Sequence, residues 1–363
     1  MSRNYYLQLA EEGIKVPIAA DLILHEKPNP EEILKNGEML GRVIEESAHR
    51  FGIPLAISLM DLTIEKTAVL ETIGIASETI PSYHFSQPPD DEVFEAVRNR
   101  TPADFNAREK AHLQAMRYLA DETNLIPVGM SIGPFSLTTK LLSDPITPIY
   151  LAGMGLTGED DPDVLLVDKT LELASLAVLN WVKAQIDAGI QAIFIAEPAA
   201  NKVYISPKQI EEGSGVFERF VMEPNRRIKE LLERHGVDLL FHCCGELTDA
   251  MVESFGKLRP AVLSLGSSRK LWKDAALIPK DVVLFGNLPS KKFYSDDLIS
   301  AEQVAEMSRD LLEKMKETGH PFILGTECDV LSVEGCEESI MNKVCAMLNC
   351  PGAVKTDMQL CVA

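Results

Sequence analysis

Positive charge is scarce in this sequence. Its 363 residues include 35 lysines and arginines against 55 aspartates and glutamates, which gives a formal net charge of -20. A surface of this sign repels phosphate backbones and anionic lipids, so we expect no nucleic acid and no membrane among its partners. No Walker phosphate loop occurs either, and the sequence gives no support for nucleotide binding through that motif.

Long apolar segments are also absent. No run of 18 apolar residues is free of charge, and the first residues, MSRNYYLQLAEEG, lack the apolar stretch of a secretion signal. The seven cysteines are an odd number in a large chain, which argues against a disulfide framework. These absences predict a cytoplasmic protein whose thiols are reduced and available to bind metal.

Short apolar runs of strand length recur along the chain, and helical spacing separates most of them. The eight runs begin at Val16, Pro54, Pro127, Ala192, Asp238, Ala261, Asp281 and Pro321. Strands that are apolar throughout and alternate with helices are typical of a parallel sheet covered by helices. Eight of them favour a (β/α)8 TIM barrel over an open doubly wound sheet. We predict a single α/β barrel domain over residues 1–363, with extra N-terminal helices and inserted helices between Met60 and Pro127.

The fifth apolar run ends in the group HCCG, residues 242–245. At the end of an extended strand, His242 and Cys244 point to one side and Cys243 points to the other. Imidazole and thiolate are preferred zinc ligands, and a catalytic zinc site uses three protein ligands and one open position. Cys328, just after the last run, could be the third ligand, since active sites of barrels form where the strands end. The alternative is that these are ordinary buried residues.

Three further polar residues stand at the ends of apolar runs. Glu197 ends the run AIFIAE, and it is a candidate catalytic residue that would ligate metal, orient a ligand or accept a proton. The alternative is a solvated loop carboxylate. Asp61 is either a helix cap or part of a cofactor-binding pocket. Asn287 ends the run before the last and is predicted to face the same pocket.

Several segments, taken in this order, resemble the uroporphyrinogen decarboxylase superfamily. They are LMDLTIEKTAVLETIG (59–74), GPFSLTTKLL (133–142), AGIQAIFIAEPAA (188–200), LLFHCCGELTDAMVESF (239–255), VVLFGNLPSKKF (282–293) and FILGTECDV (322–330). Members of this superfamily are (β/α)8 barrels, so the resemblance implies the same fold as the count of strands.

Within the superfamily, the resemblance is to the methylcobalamin:coenzyme M methyltransferase branch. The decarboxylases hold a polyanionic porphyrinogen with an arginine-rich N-terminal segment, whereas this chain has no arginine between Arg3 and Arg42. The methyltransferases carry zinc on an H-x-C pair and a later cysteine, and His242, Cys244 and Cys328 match that pattern.

The resemblance implies a zinc-dependent transfer of a methyl group between a corrinoid (methylcobalamin) protein and a thiol or a methylated small molecule. It leaves the direction of transfer open. The chain lacks the cobalamin-binding motif D-x-H-x-x-G, so the corrinoid is expected on a partner protein. Two alternatives stand beside this prediction. One is a uroporphyrinogen decarboxylase of tetrapyrrole biosynthesis, and the other is a non-catalytic barrel that binds a corrinoid or another ligand.

Overall fold

The computed structural model describes residues 3–349. Eight parallel strands form one sheet, in which neighbouring strands follow the order β1-β8-β7-β6-β5-β4-β3-β2. The strands are Lys15–Val16 (β1), Leu55–Ile57 (β2), Ile126–Ile132 (β3), Ala192–Ala196 (β4), Asp238–Cys243 (β5), Val262–Leu265 (β6), Val283–Leu288 (β7) and Phe322–Thr326 (β8). The predicted α/β fold with eight strands is confirmed.

Helices surround this sheet and fill the intervals between strands. They are α1 (Asn4–Glu11), α2 (Ala20–His25), α3 (Pro30–Ile33), α4 (Gly37–Arg50), α5 (Ile64–Thr72), α6 (Asp91–Arg98), α7 (Ala107–Glu122), α8 (Pro134–Leu141), α9 (Ile146–Gly153), α10 (Pro162–Asp187), α11 (Pro207–Glu211), α12 (Glu223–His235), α13 (Asp249–Lys257), α14 (Leu271–Asp274), α15 (Ala301–Thr318) and α16 (Glu337–Leu348). Helix α1 precedes the first strand, and α5 to α7 occupy the long interval between β2 and β3. Both predicted additions to the barrel are therefore confirmed.

The sheet curls into a TIM-barrel-like fold. Neighbouring strands lie about 4.8 Å apart, so β4 and β7, which are three positions apart, would be separated by roughly 14 Å in a flat sheet. The ring centroids of Phe194 on β4 and Phe285 on β7 are only 6.2 Å apart. Both side chains must therefore point into the interior of a curved sheet. Residues that share their side of a strand also face this interior.

The curled sheet has a seam between β1 and β2. Within residues 3–349 no ladder joins these two strands, which are the ends of the sheet. The strand predicted to begin at Val16 is only two residues long, Lys15–Val16, and helix α2 already begins at Ala20. Pro17 after β1 and Pro54 before β2 have no N–H group to donate, which limits pairing at this seam.

Helix ends follow the local chemistry of the sequence. The longest helix, α10, begins with Pro162 at its first position, and the Asp161 side chain accepts a hydrogen bond from the Val164 N–H at 3.2 Å. Helices α12 and α15 end at Gly236 and Gly319, whose φ angles of 67° and 58° favour glycine. No helix in the described range has both the length and the apolar character needed to cross a bilayer.

Candidate metal centre

The ends of β5 and β8 bring the three predicted metal ligands together. His242 lies within β5, Cys244 directly follows that strand, and Cys328 follows β8. One ligand atom from each residue lies within 4.8 Å of the other two. His242 is buried and both cysteines are partly buried. Because parallel strands end at one face of a barrel, residues distant in sequence meet there.

His242 has one ring nitrogen fixed and the other unused. Its Nδ1 lies 2.9 Å from Oγ of Ser264, the residue that pairs with it on β6. Its Nε2 has no hydrogen-bond partner in the described chain, although the side chain is buried. When Nδ1 donates to the Ser264 hydroxyl, Nε2 presents its lone pair, as is usual for metal-binding histidines. The donor set and this orphaned nitrogen fit a zinc ion.

The two thiols of this site influence each other strongly. The pKa of Cys244 is lowered, first by a hydrogen bond from Cys328 and then, against the effect of burial, by His242 and Lys291. The same hydrogen bond to Cys244, together with burial, raises the pKa of Cys328. Cys328 also contacts Met60, with its Sγ 3.7 Å from the Met60 Sδ. The first thiol proton therefore leaves easily, and the second leaves only when a cation compensates the second negative charge.

Sequence reasoning missed Lys291, which stands beside the thiols. It lies in the short 3₁₀ helix Ser290–Lys292 that follows β7. Burial alone would lower its pKa, but Cys244, Cys328 and Glu327 together raise it. Its position directly after an apolar run, within VVLFGNLPSKKF, was the available signal. Lys291 brings a positive charge to a site whose other charges are negative.

Cys243 faces away from the three candidate ligands, as predicted. It is fully buried in the hydrophobic core, and its thiol lies 3.7 Å from the Ala200 carbonyl oxygen. Phe241, two residues earlier on the same side of β5, packs on Phe255 of α13 with ring centroids 4.9 Å apart. This side of β5 thus faces the helices, while His242 faces the interior. Burial raises the pKa of the Cys243 thiol, which keeps it protonated.

Glu197 lies just after β4 and anchors a helix. Its carboxylate accepts hydrogen bonds from the N–H groups of Phe135 and Ser136 at 3.1 and 2.7 Å, and from Nδ2 of Asn225 at 2.8 Å. The first two are unpaired donors at the start of α8. The side chain is fully buried, so the alternative of a solvated loop carboxylate is wrong. Burial raises the pKa of Glu197, and these hydrogen bonds oppose that shift.

Glu197 also sits in close contact with Gly133. A methyl group at Gly133 would approach the Glu197 carboxyl carbon to 2.1 Å, so only glycine leaves room for the acid. The structure does not bring Glu197 into the group of three ligand atoms within residues 3–349. Its catalytic role stays a prediction.

Asp61 and Asn287 form hydrogen bonds with neighbouring loops of the same chain. Asp61 accepts hydrogen bonds from the N–H and hydroxyl of Thr63 at 3.0 and 2.6 Å, directly before α5 begins, and pairs with Arg108 at 2.9 Å. Asn287 donates from Nδ2 to the carbonyl oxygens of Gly266 and Arg269 at 2.8 and 3.0 Å. Asp61 therefore organises the start of α5, and Asn287 fixes the loop after β6. Their roles in cofactor binding stay predictions.

Comparisons with known proteins agree with this architecture. The family model described as uroporphyrinogen decarboxylase (URO-D) matches residues 21–338. A solved structure described as a methyltransferase from Methanosarcina mazei superposes with a TM-score of 0.66 at 16% sequence identity, covering 96% of this chain and 98% of that chain. At this identity the likeness establishes the fold. No curated protein gives a sequence match. With the family model covering most of its length, the chain belongs to the uroporphyrinogen decarboxylase family.

Proposed function

We propose that this protein is a zinc-dependent methyltransferase that moves a methyl group between a corrinoid protein and a thiol or a methylated small molecule. The observation that carries the proposal is the meeting of His242, Cys244 and Cys328, with Nε2 of the buried histidine lacking a partner among the described residues. Three nitrogen and sulfur ligands leave one zinc position open for substrate, which is typical of a catalytic site.

The orientation and the charges of the residues in this site suit the binding of a thiol substrate. A bound zinc ion would supply Lewis acidity, which keeps a coordinated thiol deprotonated near neutral pH. His242 is held in the ligand orientation by Ser264. Cys244 readily becomes a thiolate, and Lys291 adds a positive charge nearby. With two thiolates and a neutral imidazole around a divalent ion, the charge of the centre is close to zero before substrate binds.

Exposed apolar side chains around the barrel support docking of a partner. Five of the large exposed ones lie in segments that lead from the end of a strand to the next α-helix, and therefore at the face where the strands end: Val203, Tyr294, Leu298, Leu331 and Val333. Exposed apolar groups are typical of protein interaction sites when they cluster on one face. A corrinoid protein bound here would present its methyl carrier to the open metal position.

Metal analysis of the purified protein tests the proposal first. We expect about one zinc per chain in the wild type, and its loss in His242→Ala and Cys328→Ser. Cys336→Ser is the matched control, because Cys336 is a described thiol outside the cluster and should leave the zinc content unchanged. Wild-type protein that carries no zinc after expression with zinc would overturn the proposal.

A spectroscopic assay then tests the reaction. Methylcobalamin and added thiols are mixed with the protein, and the change from methyl-Co(III) to Co(I) is followed by absorbance. We expect demethylation by the wild type and none by Cys328→Ser. Zinc and ligand binding without turnover would favour the non-catalytic barrel, and production of coproporphyrinogen from uroporphyrinogen would favour the decarboxylase.

A further inference from the structure

A cavity lies on the outer side of the sheet, behind β3. It encloses about 200 Å³ between α5, α10 and the segment 97–109. Its walls are largely apolar, and Phe105 and Trp181 form an aromatic corner with their ring centroids 6.2 Å apart. A cavity of about 150 Å³ can hold benzene, so the space accommodates a molecule built on a single ring.

The cavity and the metal centre lie on opposite faces of the sheet. Ser131 of β3 shares its side of the strand with Gly129, where a Cβ would meet Gln185 of α10. That side therefore faces the helices. Ser131 donates a hydrogen bond to Glu65, which lines the cavity. His242 pairs with Ala196, on the side of β4 that carries Phe194 and faces the barrel interior.

Among the ionisable residues that line this cavity, one carboxyl group has no cation beside it. Arg100 pairs with Glu109 at 2.5 Å, and Lys183 pairs with Asp187 near the exposed end of the cavity. Glu65 remains. Its side chain is 2% exposed, and Oε1 accepts hydrogen bonds from the Ser131 hydroxyl and the Ile132 N–H, at 2.7 and 3.0 Å.

The second carboxylate oxygen of Glu65, Oε2, has no hydrogen-bond partner among residues 3–349. A buried carboxylate without a partner is costly, so the group either takes up a proton or is compensated by a bound cation. Trp181 adds an aromatic wall, against which a cation or an apolar group packs favourably. The cavity thus combines one uncompensated carboxylate with apolar and aromatic walls.

We propose that this cavity binds a small organic amine whose apolar body has about the size of one ring. The ammonium group donates a hydrogen bond to Glu65, and the apolar body packs against Phe105 and Trp181. The ligand set of the metal centre takes no part in this site, so the inference does not rest on the proposed methyltransferase activity.

Calorimetric titration of the purified full chain with benzylamine tests the proposal, and benzyl alcohol serves as the neutral probe of the same shape. We expect benzylamine to bind at least about tenfold more tightly than benzyl alcohol, because only the amine forms a charge-assisted hydrogen bond with the carboxylate. Equal binding of both probes, or no binding of benzylamine, would overturn the proposal.

Three variants test whether the binding takes place in this cavity. Glu65→Gln should weaken benzylamine binding about tenfold or more and leave benzyl alcohol binding unchanged. Asp187→Asn is the matched control, since its carboxylate lies at the exposed end and is paired with Lys183. If Glu65→Gln does not fold, Ala184→Phe, which fills the cavity from α10, should abolish binding of both probes. If benzylamine still binds with wild-type affinity to folded Glu65→Gln or to folded Ala184→Phe, the ligand does not bind in this cavity. Zinc content, measured on the same samples, should stay at the wild-type value.

Discussion

The ends of β4 and β5 are adjacent in the sheet, but they differ in whether the protein satisfies the hydrogen bonds of the polar residue located there. At the end of β4, both carboxylate oxygens of Glu197 accept hydrogen bonds from the protein. At the end of β5, Nε2 of His242 has no partner in the described chain. A residue whose polar atoms are all satisfied internally contributes to the fold, whereas an unsatisfied one is available to a ligand. We call the end of β4 the anchoring end and the end of β5 the candidate binding end.

The largest effect on stability is expected at the anchoring end. Glu197→Ala would leave the N–H groups of Phe135 and Ser136 buried without an acceptor, and Nδ2 of Asn225 would keep only the Val221 carbonyl oxygen. We expect a loss of about 3–5 kcal/mol in the free energy of unfolding, measured by chemical denaturation. Glu197→Gln, which keeps one acceptor oxygen, should lose less. If Glu197→Ala were as stable as the wild type but had lost its zinc, the assignment of the two ends would be reversed.

A second prediction concerns the outer cavity, where burial raises the pKa of Glu65 to about 7, with Ser131 opposing the shift. A carboxyl group with a raised pKa in the folded state stabilises the protein at low pH, and this contribution is lost as the pH rises through about 7. Relative to Glu65→Gln, the wild type should therefore lose stability between pH 5 and pH 8, by on the order of 3 kcal/mol. Parallel pH dependence of the two proteins in chemical denaturation would contradict this.

A third prediction concerns Ser264, which contacts the candidate ligand His242 at the end of β5. Ser264→Ala removes the hydrogen bond that orients His242 while leaving all three proposed metal ligands in place. We expect zinc affinity to fall about 10–100-fold, measured by competition with a chromophoric chelator. The unfolding free energy of the metal-free protein should change far less than in Glu197→Ala. Unchanged zinc affinity would mean that this hydrogen bond does not orient the ligand.

The smallest effect is expected at Cys243. Cys243→Ala removes one buried sulfur atom, and we expect a loss of about 1 kcal/mol in the free energy of unfolding. Zinc content should stay at the wild-type value, in contrast to Cys244→Ala one residue later. Loss of zinc from Cys243→Ala would show that the two sides of β5 had been assigned wrongly.

Much of the fold and of the candidate metal centre could be predicted from local patterns. Apolar runs of strand length identify the strands β2 to β8, since a parallel strand covered on both faces needs apolar residues throughout. The first run overlaps β1 only at Val16 and continues into α2. The H-x-C spacing assigns His242 and Cys244 to one side of β5 and Cys243 to the other, because side chains alternate along a strand. Cys328 could be added because all the strands end at one face.

Whether a polar group already has hydrogen-bond partners within the protein depends on the folded structure. Glu197 and His242 look equally available in sequence, since each stands at the end of an apolar run. Their difference depends on Phe135, Ser136 and Asn225, which come from distant parts of the chain. The same holds for Lys291 beside the thiols and for Glu65 behind β3. Alternation and apolar length are local properties of the sequence, whereas hydrogen-bond satisfaction depends on neighbours that only folding brings together.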